Sequence, residues 1–290
     1  MTAETDDDSH RAADLDRRGQ DSRPGGEANR PGTTLSRPAL AGIFFLIFTI
    51  AQSIMYVAGM ELYVLVLLAE LIVVAIMVPL ILTTATHPVG LTGHPVKPYL
   101  IGVGVGTLMI VVTAARMLPT TALNRETAVW LALLLIGGIV IQSFAEELLL
   151  RGLIMSSLVD RFGAWPGIIG SSVIFGALHL LNEGVTVLST LNTVLVGIVF
   201  GLMFVVHNGL WAPAGAHCAW NAIMGPILGV EVSGFELPAS IFTTASPHPY
   251  GFEATGVCTV VIGIAIAVYA AVLIRRRTRT TALGANLSGE

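Results

Sequence analysis

An acidic pair and an arginine interrupt an otherwise apolar stretch at residues 145–151. Glu147 and Arg151 are four residues apart, so on a helix they face each other in the favourable order for an ion pair. Glu146 points about 100° away from Glu147 and is not neutralised by the same arginine. We therefore interpret Glu147 and Arg151 as a structural pair, and Glu146 as a carboxylate that is free for proton transfer.

Two histidines and an asparagine occur at helical spacing in two later apolar stretches. His179 lies one turn after Phe175 and on the same helix face, and His217 and Asn221 likewise share a face. An ionisable side chain at membrane depth needs a physical reason to be there. Two histidines, an unpaired glutamate and an amide that can be brought together form a set that supports hydrolysis.

The residue types alone leave two hydrolytic sites open. In the first, Glu146 beside a histidine holds and deprotonates a water molecule, while the other histidine and Asn221 donate hydrogen bonds to the developing oxyanion. In the second, Glu146, His179 and His217 form the set of two histidines and one carboxylate that is typical of hydrolytic zinc.

The composition predicts the elements that must position these residues. Of 290 residues 54% are hydrophobic and 12% are charged. Residues 1–39 and 275–290 hold 14 and five of the charged residues, which leaves 15 for the 235 residues between them. Soluble domains with a water-facing surface have about 25% charged residues, roughly twice the share in this chain. The chain is therefore predicted to be an all-α, polytopic membrane helix bundle, and its net charge of −4 without a basic patch argues against a nucleic acid partner.

Apolar stretches of spanning length, about 20 residues, recur along the chain and predict about eight transmembrane helices. They are residues 39–59, 62–83, 99–118, 128–149, 166–182, 186–207, 210–229 and 255–274.

The charged ends indicate how the chain lies in its membrane. Lysine and arginine are concentrated in the N-terminal tail, in alternate loops and after the last span, so both termini are expected in the cytoplasm. A single lysine against fourteen arginines is typical of a GC-rich bacterial genome, which points to a bacterial plasma membrane.

The chain divides into three parts. Residues 1–38 are expected to be a disordered cytoplasmic tail, residues 39–274 one membrane-embedded domain, and residues 275–290 a basic cytoplasmic C-terminal tail. Within the domain, residues 230–254 are expected to be a solvated connecting loop that carries Glu231, Glu236, His248 and Glu253.

Helix lengths predict that Glu146 and His179 lie level with each other. Residues 128–160 can form about 50 Å of helix, which exceeds a ~30 Å apolar core, so this helix must tilt, break near residues 137–138 or protrude. The chain turns at residues 161–165, and both side chains lie about 20 Å from that turn. An antiparallel hairpin therefore brings them to one depth.

Glu70 stands alone in the second predicted span. We expect a hydrogen bond to a neighbouring helix, or to Arg116 or Arg151, with substrate binding or a proton relay as the alternative role.

The three motifs together resemble the signature of the CPBP intramembrane proteases, which are relatives of the type II CAAX prenyl endopeptidase and of bacteriocin-processing membrane proteins. The similar core runs from about residue 128 to residue 229. The resemblance implies an eight-helix bundle with a cavity open toward the cytoplasm, and an endopeptidase that cleaves a membrane-associated protein or peptide. The motifs are Glu146-Glu147-x-x-x-Arg151, Phe175-x-x-x-His179 and His217-x-x-x-Asn221.

The resemblance also implies a role for each residue. Glu146 would be the general base, aided by His179, with His217 and Asn221 polarising the scissile carbonyl. Glu147, Arg151 and Phe175, which belong to the same motifs, would support them. The expected cofactor is either none or zinc. Asn221 suits an oxyanion donor better than a zinc ligand, which favours the metal-free account.

Two non-proteolytic functions remain as alternatives. The first is a non-catalytic membrane protein, an immunity factor or scaffold, that keeps the polar site to hold helices together. The second is a proton-coupled transporter that uses Glu70, Glu146 and the histidines as a relay, although the chain has no internal repeat of the kind that transporters show.

Overall fold

The computed structural model describes residues 34–58, 62–87, 89–91 and 93–287, which fold into an all-α bundle. The prediction of an all-α membrane helix bundle is therefore confirmed. Most of the predicted N-terminal tail, residues 1–33, lies outside the described residues.

The helices contain the long apolar runs of the sequence. In chain order they are α1 (Arg37–Val57), α2 (Leu62–Thr84), α3 (Val96–Ala114), α4 (Val129–Glu147), α5 (Ser156–Phe162), α6 (Ala164–Leu178), α7 (Val187–His207), α8 (Trp211–Ala222) and α9 (Gly256–Leu287).

Short elements complete the described chain. Two 3-10 turns and two antiparallel strands lie in the loops, and two π-helical segments extend α4 and α8. They are the 3-10 turns Leu118–Thr120 and Phe252–Ala254, the strands β1 (Ala122–Leu123) and β2 (Phe242–Thr243), and the π-helices Leu148–Met155 and Ile223–Ile227.

The described residues contain six helices that are long and apolar enough to cross a membrane, rather than about eight. The predicted spans 166–182 and 210–229 are formed by the shorter helices α6, of 15 residues, and α8, of 12 residues. Helix α6 ends at Leu178, where the chain passes into turns. Helix α8 continues into a π-helix that contains Pro226. Apolar length in the sequence therefore overstates the length of these two helices.

The helix that carries Glu146 and Glu147 is continuous over Val129–Phe162, a length of 34 residues. It does not break at residues 137–138, which lie within α4. Its irregularity is the π-helical segment Leu148–Met155, which begins directly after the acidic pair. Such segments interrupt α-helices most often at functional sites.

Helices α3 and α8 pack with their backbones in direct contact. At Gly102 and Gly106 of α3, an added Cβ would collide with the backbone of Ala212 and Ala216, and at Gly215 of α8 it would collide with the backbone of Tyr99. Only glycine permits this approach. The contact fixes the position of α8 along α3, and with it the position of the motif that begins at His217.

The loop over residues 230–254 is not the solvated connector that the sequence predicts. Val230, Tyr250 and Phe252 are buried, as is Glu253. The strand β2 in this loop pairs with β1, which ties it to the segment before α4. The apolar side chains pull the loop into the bundle, and Glu253 follows because the protein supplies hydrogen-bond donors for its carboxylate.

The apolar core has two main parts. One lies among α3, α7, α8 and α9, and the other packs α1 and α2 against the π-helical segment that follows α4. The polar side chains predicted to do chemistry lie between them.

Candidate active site

A cavity of about 340 Å³ lies inside the bundle and is lined by all three predicted motifs. Glu146 enters it from the end of α4, His179 from the residue that follows α6, and His217 with Asn221 from α8. The structure thus brings together the four residues that the sequence singles out as candidate catalytic groups.

Glu147 holds two cations or potential cations at once. Its Oε1 atom accepts a hydrogen bond from Nη1 of Arg151 at 2.9 Å and is 3.0 Å from Nδ1 of His217. Glu147 and Arg151 form the ion pair that their spacing predicts, and both side chains are fully buried. Since a carboxylate only accepts, Nδ1 of His217 carries the proton of this bond and Nε2 is directed elsewhere.

Aromatic rings surround the buried arginine. The Arg151 guanidinium lies 4.9 Å from the ring centroid of Phe175 and 5.3 Å from that of Phe200. Its Nη2 atom donates to the carbonyl oxygen of Gly197 at 3.0 Å. The guanidinium is therefore held by a carboxylate, a carbonyl and two ring faces, and such cation–π contacts strengthen when desolvated.

Phe175 and Phe200 also fix the imidazoles. The His217 ring is stacked on Phe200 at 5.0 Å between centroids, and the Phe175 ring makes T-shaped contacts with both His179 and His217. One phenylalanine ring therefore contacts both histidines.

Glu146 keeps partial access to the cavity. Its Oε1 atom accepts a hydrogen bond from Nε2 of Gln142 at 3.2 Å, and its Oε2 atom is 3.8 Å from Nε2 of His217. The second distance is too long for a direct hydrogen bond. With 21% of its side chain exposed, Glu146 is the accessible member of the acidic pair and Glu147 the enclosed one.

His179 is held in one tautomer. Its Nδ1 atom is 2.8 Å from the carbonyl oxygen of Phe175. A carbonyl only accepts, so Nδ1 carries a proton and Nε2 of the neutral ring has a lone pair available in the cavity.

Asn221 has a buried side chain that forms no hydrogen bond with any described residue. It lines the cavity one turn after His217. Its amide is therefore available to a group that enters the cavity.

The geometry does not fit a metal centre. Among the described residues, no three histidine, cysteine, aspartate or glutamate side chains are grouped so that they could hold a metal ion. We therefore derive no step through the zinc set of Glu146, His179 and His217.

Glu70 does not have the partners that the sequence led us to expect. It is 5% exposed, and its Oε2 atom has no hydrogen-bond partner among the described residues. Arg151 is paired with Glu147 instead, and Glu70 lines the same cavity as Glu146. The prediction of a pair with Arg116 or Arg151 is wrong because the helix turns this side chain into the cavity.

Glu253 lines the same cavity, although the sequence does not predict it there. Its Oε1 atom accepts from Nε1 of Trp220 at 3.0 Å, and its Oε2 atom accepts from the backbone N–H and the hydroxyl of Ser233. Asn192 donates to its carbonyl oxygen at 2.7 Å. Burial raises the pKa of Glu253 above its usual value, although these donors oppose the shift. The sequence offers only the aromatic residues Tyr250 and Phe252 shortly before it as a signal.

Residues 128–223 match the family model described as Rce1-like, type II CAAX prenyl endopeptidase Rce1-like. The match covers about a third of the chain and includes the three motifs that line the cavity. No curated protein and no solved structure matches the chain.

Proposed function

Because the match supports membership of the chain in the CPBP family, we propose that it is a membrane endopeptidase that hydrolyses a peptide bond of a membrane-associated protein or peptide. The observation that carries the proposal is the convergence of Glu146, His179, His217 and Asn221 on one cavity from three distant stretches of chain. Glu147 and Arg151, which pair behind them, are proposed to hold this arrangement in place.

Glu146 is the proposed general base. Gln142 holds one of its oxygens and leaves the other directed into the cavity. Glu146 takes a proton from water as the water oxygen attacks the carbonyl carbon, and His179 assists through its unprotonated Nε2.

His217 and Asn221 are the proposed oxyanion donors. The amide of Asn221 donates without first leaving another partner. His217 donates through Nε2 when that atom is protonated, and the carboxylates of Glu146 and Glu147 are the groups that stabilise such a proton. The tetrahedral intermediate then collapses, the C–N bond breaks, and the proton held by Glu146 passes to the leaving amine.

The chain is proposed to work as an integral protein of a bacterial plasma membrane, with lipid around it and both termini in the cytoplasm. The six long apolar helices support the membrane setting. The distribution of lysine and arginine supports the orientation.

The test is Glu146→Gln in the full-length protein. Glutamine keeps the shape and the hydrogen bonding but removes the base, so we expect normal abundance and a rate lower by about 10²- to 10⁴-fold. Comparative profiling of peptide N- and C-termini in membranes from wild-type and variant cells measures this directly. An unchanged set of termini, with the variant at wild-type levels, would instead favour the non-catalytic scaffold.

A further inference from the structure

The cavity carries an excess of acid. Three glutamates, Glu70, Glu146 and Glu253, line it together with His179 and His217. No lysine or arginine is among the described residues of its lining. Charged groups enclosed in protein normally have an opposite charge or a set of hydrogen bonds close by.

Two of the three acids have such compensation. Glu253 accepts from Trp220 and twice from Ser233. Glu146 accepts from Gln142 and has an imidazole nearby.

Glu70 has no such compensation. Its Oε2 atom is enclosed and unpartnered among the described residues, and a second acid, Glu146, lines the same cavity. Arg37, the cation of α1, is occupied elsewhere by Asp160 at 2.8 Å. Glu70 therefore faces the cavity with an acceptor that the protein itself does not fill.

The wall beside Glu70 is apolar and aromatic. Phe44, Phe45 and Phe48 of α1 and Val66 of α2 line the same cavity. A long cationic side chain suits such a wall, because its methylene stem packs on apolar surface while its charged end reaches a carboxylate or a ring face. A free N-terminal amine offers the same charge without the stem.

We propose that Glu70 is a specificity residue that binds a cationic group of the substrate, the side chain of a lysine or arginine near the scissile bond or an N-terminal amine. The unpartnered, buried carboxylate facing the cavity is the observation that carries this proposal, which rests on the proposed endopeptidase function. The bound cation offsets the repulsion between Glu70 and Glu146, so Glu70 contributes to binding and takes no part in bond breaking.

The experiment compares peptide termini in membranes from cells that carry the wild-type protein, Glu146→Gln, Glu70→Gln or Glu126→Gln. Cleavage sites are the termini that depend on Glu146. We expect these cleavage sites to have a lysine or arginine at one fixed position, or to lie close to a free N-terminal amine. We expect Glu70→Gln to lower the abundance of the cleaved termini by about tenfold, as loss of one charge-assisted contact predicts. Glu126 is exposed and outside the cavity lining, so Glu126→Gln is the matched control and should resemble the wild type.

A second measurement holds the protein constant. A peptide that spans the strongest cleavage site is prepared in three forms, with its lysine, with norleucine or with acetyl-lysine at that position. Each form is made with a free and with an acetylated N-terminus. Cleavage of each peptide by the wild-type protein in bilayers is then measured. Loss of the side-chain charge or of the terminal charge identifies which source Glu70 binds. This arm stands even if Glu70→Gln fails to accumulate.

The outcomes separate the two proposals. If no terminus depends on Glu146, the endopeptidase function is overturned, and this inference falls with it. If cleavage sites exist but show no cationic preference, or if that preference survives in Glu70→Gln, the endopeptidase function stands and the role of Glu70 is overturned.

Discussion

The Nδ1 atom of His217 and the Oε1 atom of Glu147 are 3.0 Å apart, although 70 residues separate them in the chain. The same oxygen binds Arg151, so a single carboxylate joins the ion pair of one helix to the imidazole of another. The second acid of the motif thus orients a candidate catalytic group as well as pairing with its own arginine.

The first prediction follows from this shared oxygen. Glu147→Gln leaves the buried Arg151 without its counter-charge, which should lower the free energy of unfolding by about 3–5 kcal/mol. Thermal unfolding of the protein in detergent measures the loss.

The double variant Glu147→Gln with Arg151→Met is the control. It removes both charges, so it should regain part of the lost stability. It should not regain activity, because His217 still lacks its carboxylate. Recovery of peptide cleavage in the double variant would contradict the orienting role of Glu147.

The second prediction concerns the contact between α3 and α8. Gly106→Ala adds a methyl group where the backbone of Ala216 already lies, so the helices must separate. We expect a stability loss of about 1–3 kcal/mol and reduced cleavage, because the residue after Ala216 is His217. Gly104→Ala on the same helix has open space around its Cβ and should change stability by less than about 1 kcal/mol. Equal behaviour of the two variants would show that the close approach does not position α8.

The third prediction concerns pH. Because burial raises the pKa of Glu253, the folded protein holds this proton above the range, about 4.3, in which an unfolded glutamate loses it. As pH rises from about 4.3 toward the native pKa, the unfolded chain releases its proton first, so stability falls over that window.

Comparison of wild type with Glu253→Gln isolates this effect, since all other acids contribute equally to both. The difference in unfolding temperature between the two proteins should change across the window in the direction that favours the variant as pH rises. Parallel curves would mean that Glu253 titrates alike in both states.

The fourth prediction concerns the hydrogen bonds that Glu253 accepts and their contribution to the stability of the fold. Glu253→Ala leaves the indole N–H of Trp220 and both donors of Ser233 without their acceptor. Each buried donor left unpaired costs about 1–3 kcal/mol. We expect a marked fall in the free energy of unfolding, measured by thermal unfolding. Glu126→Ala, at an exposed position, should change that free energy by less than about 0.5 kcal/mol.

Local periodicity was enough to predict part of the site. The pair Glu147 and Arg151 follows from a spacing of four residues, and the shared face of His217 and Asn221 follows in the same way. The fold class follows from the scarcity of charge between the termini. These features depend on neighbours in the chain, which a sequence displays.

Contacts between distant residues were not predictable in the same way. Nothing in the spacing of Glu147 and His217 indicates that they touch, and nothing near Glu253 indicates that Trp220 and Ser233 will donate to it. Glu70 illustrates the same limit. The sequence predicts a partner on a neighbouring helix or at Arg116 or Arg151, whereas the helix rotation that turns Glu70 into the cavity is a tertiary property. Apolar length also overstated two spans, because the apolar residues after Leu178 pass into turns and those after Ala222 into a π-helix.

The π-helical segment Leu148–Met155 makes the register of this helix part of the site. Exchange of one leucine for another apolar residue there would preserve the direction of every later side chain. Removal of a single residue between Glu147 and Arg151 would rotate all that follows by about 100°, so the guanidinium would leave its carboxylate and Asp160 would swing away from Arg37. The spacing of residues 147–151 therefore constrains this helix more tightly than their hydrophobicity does.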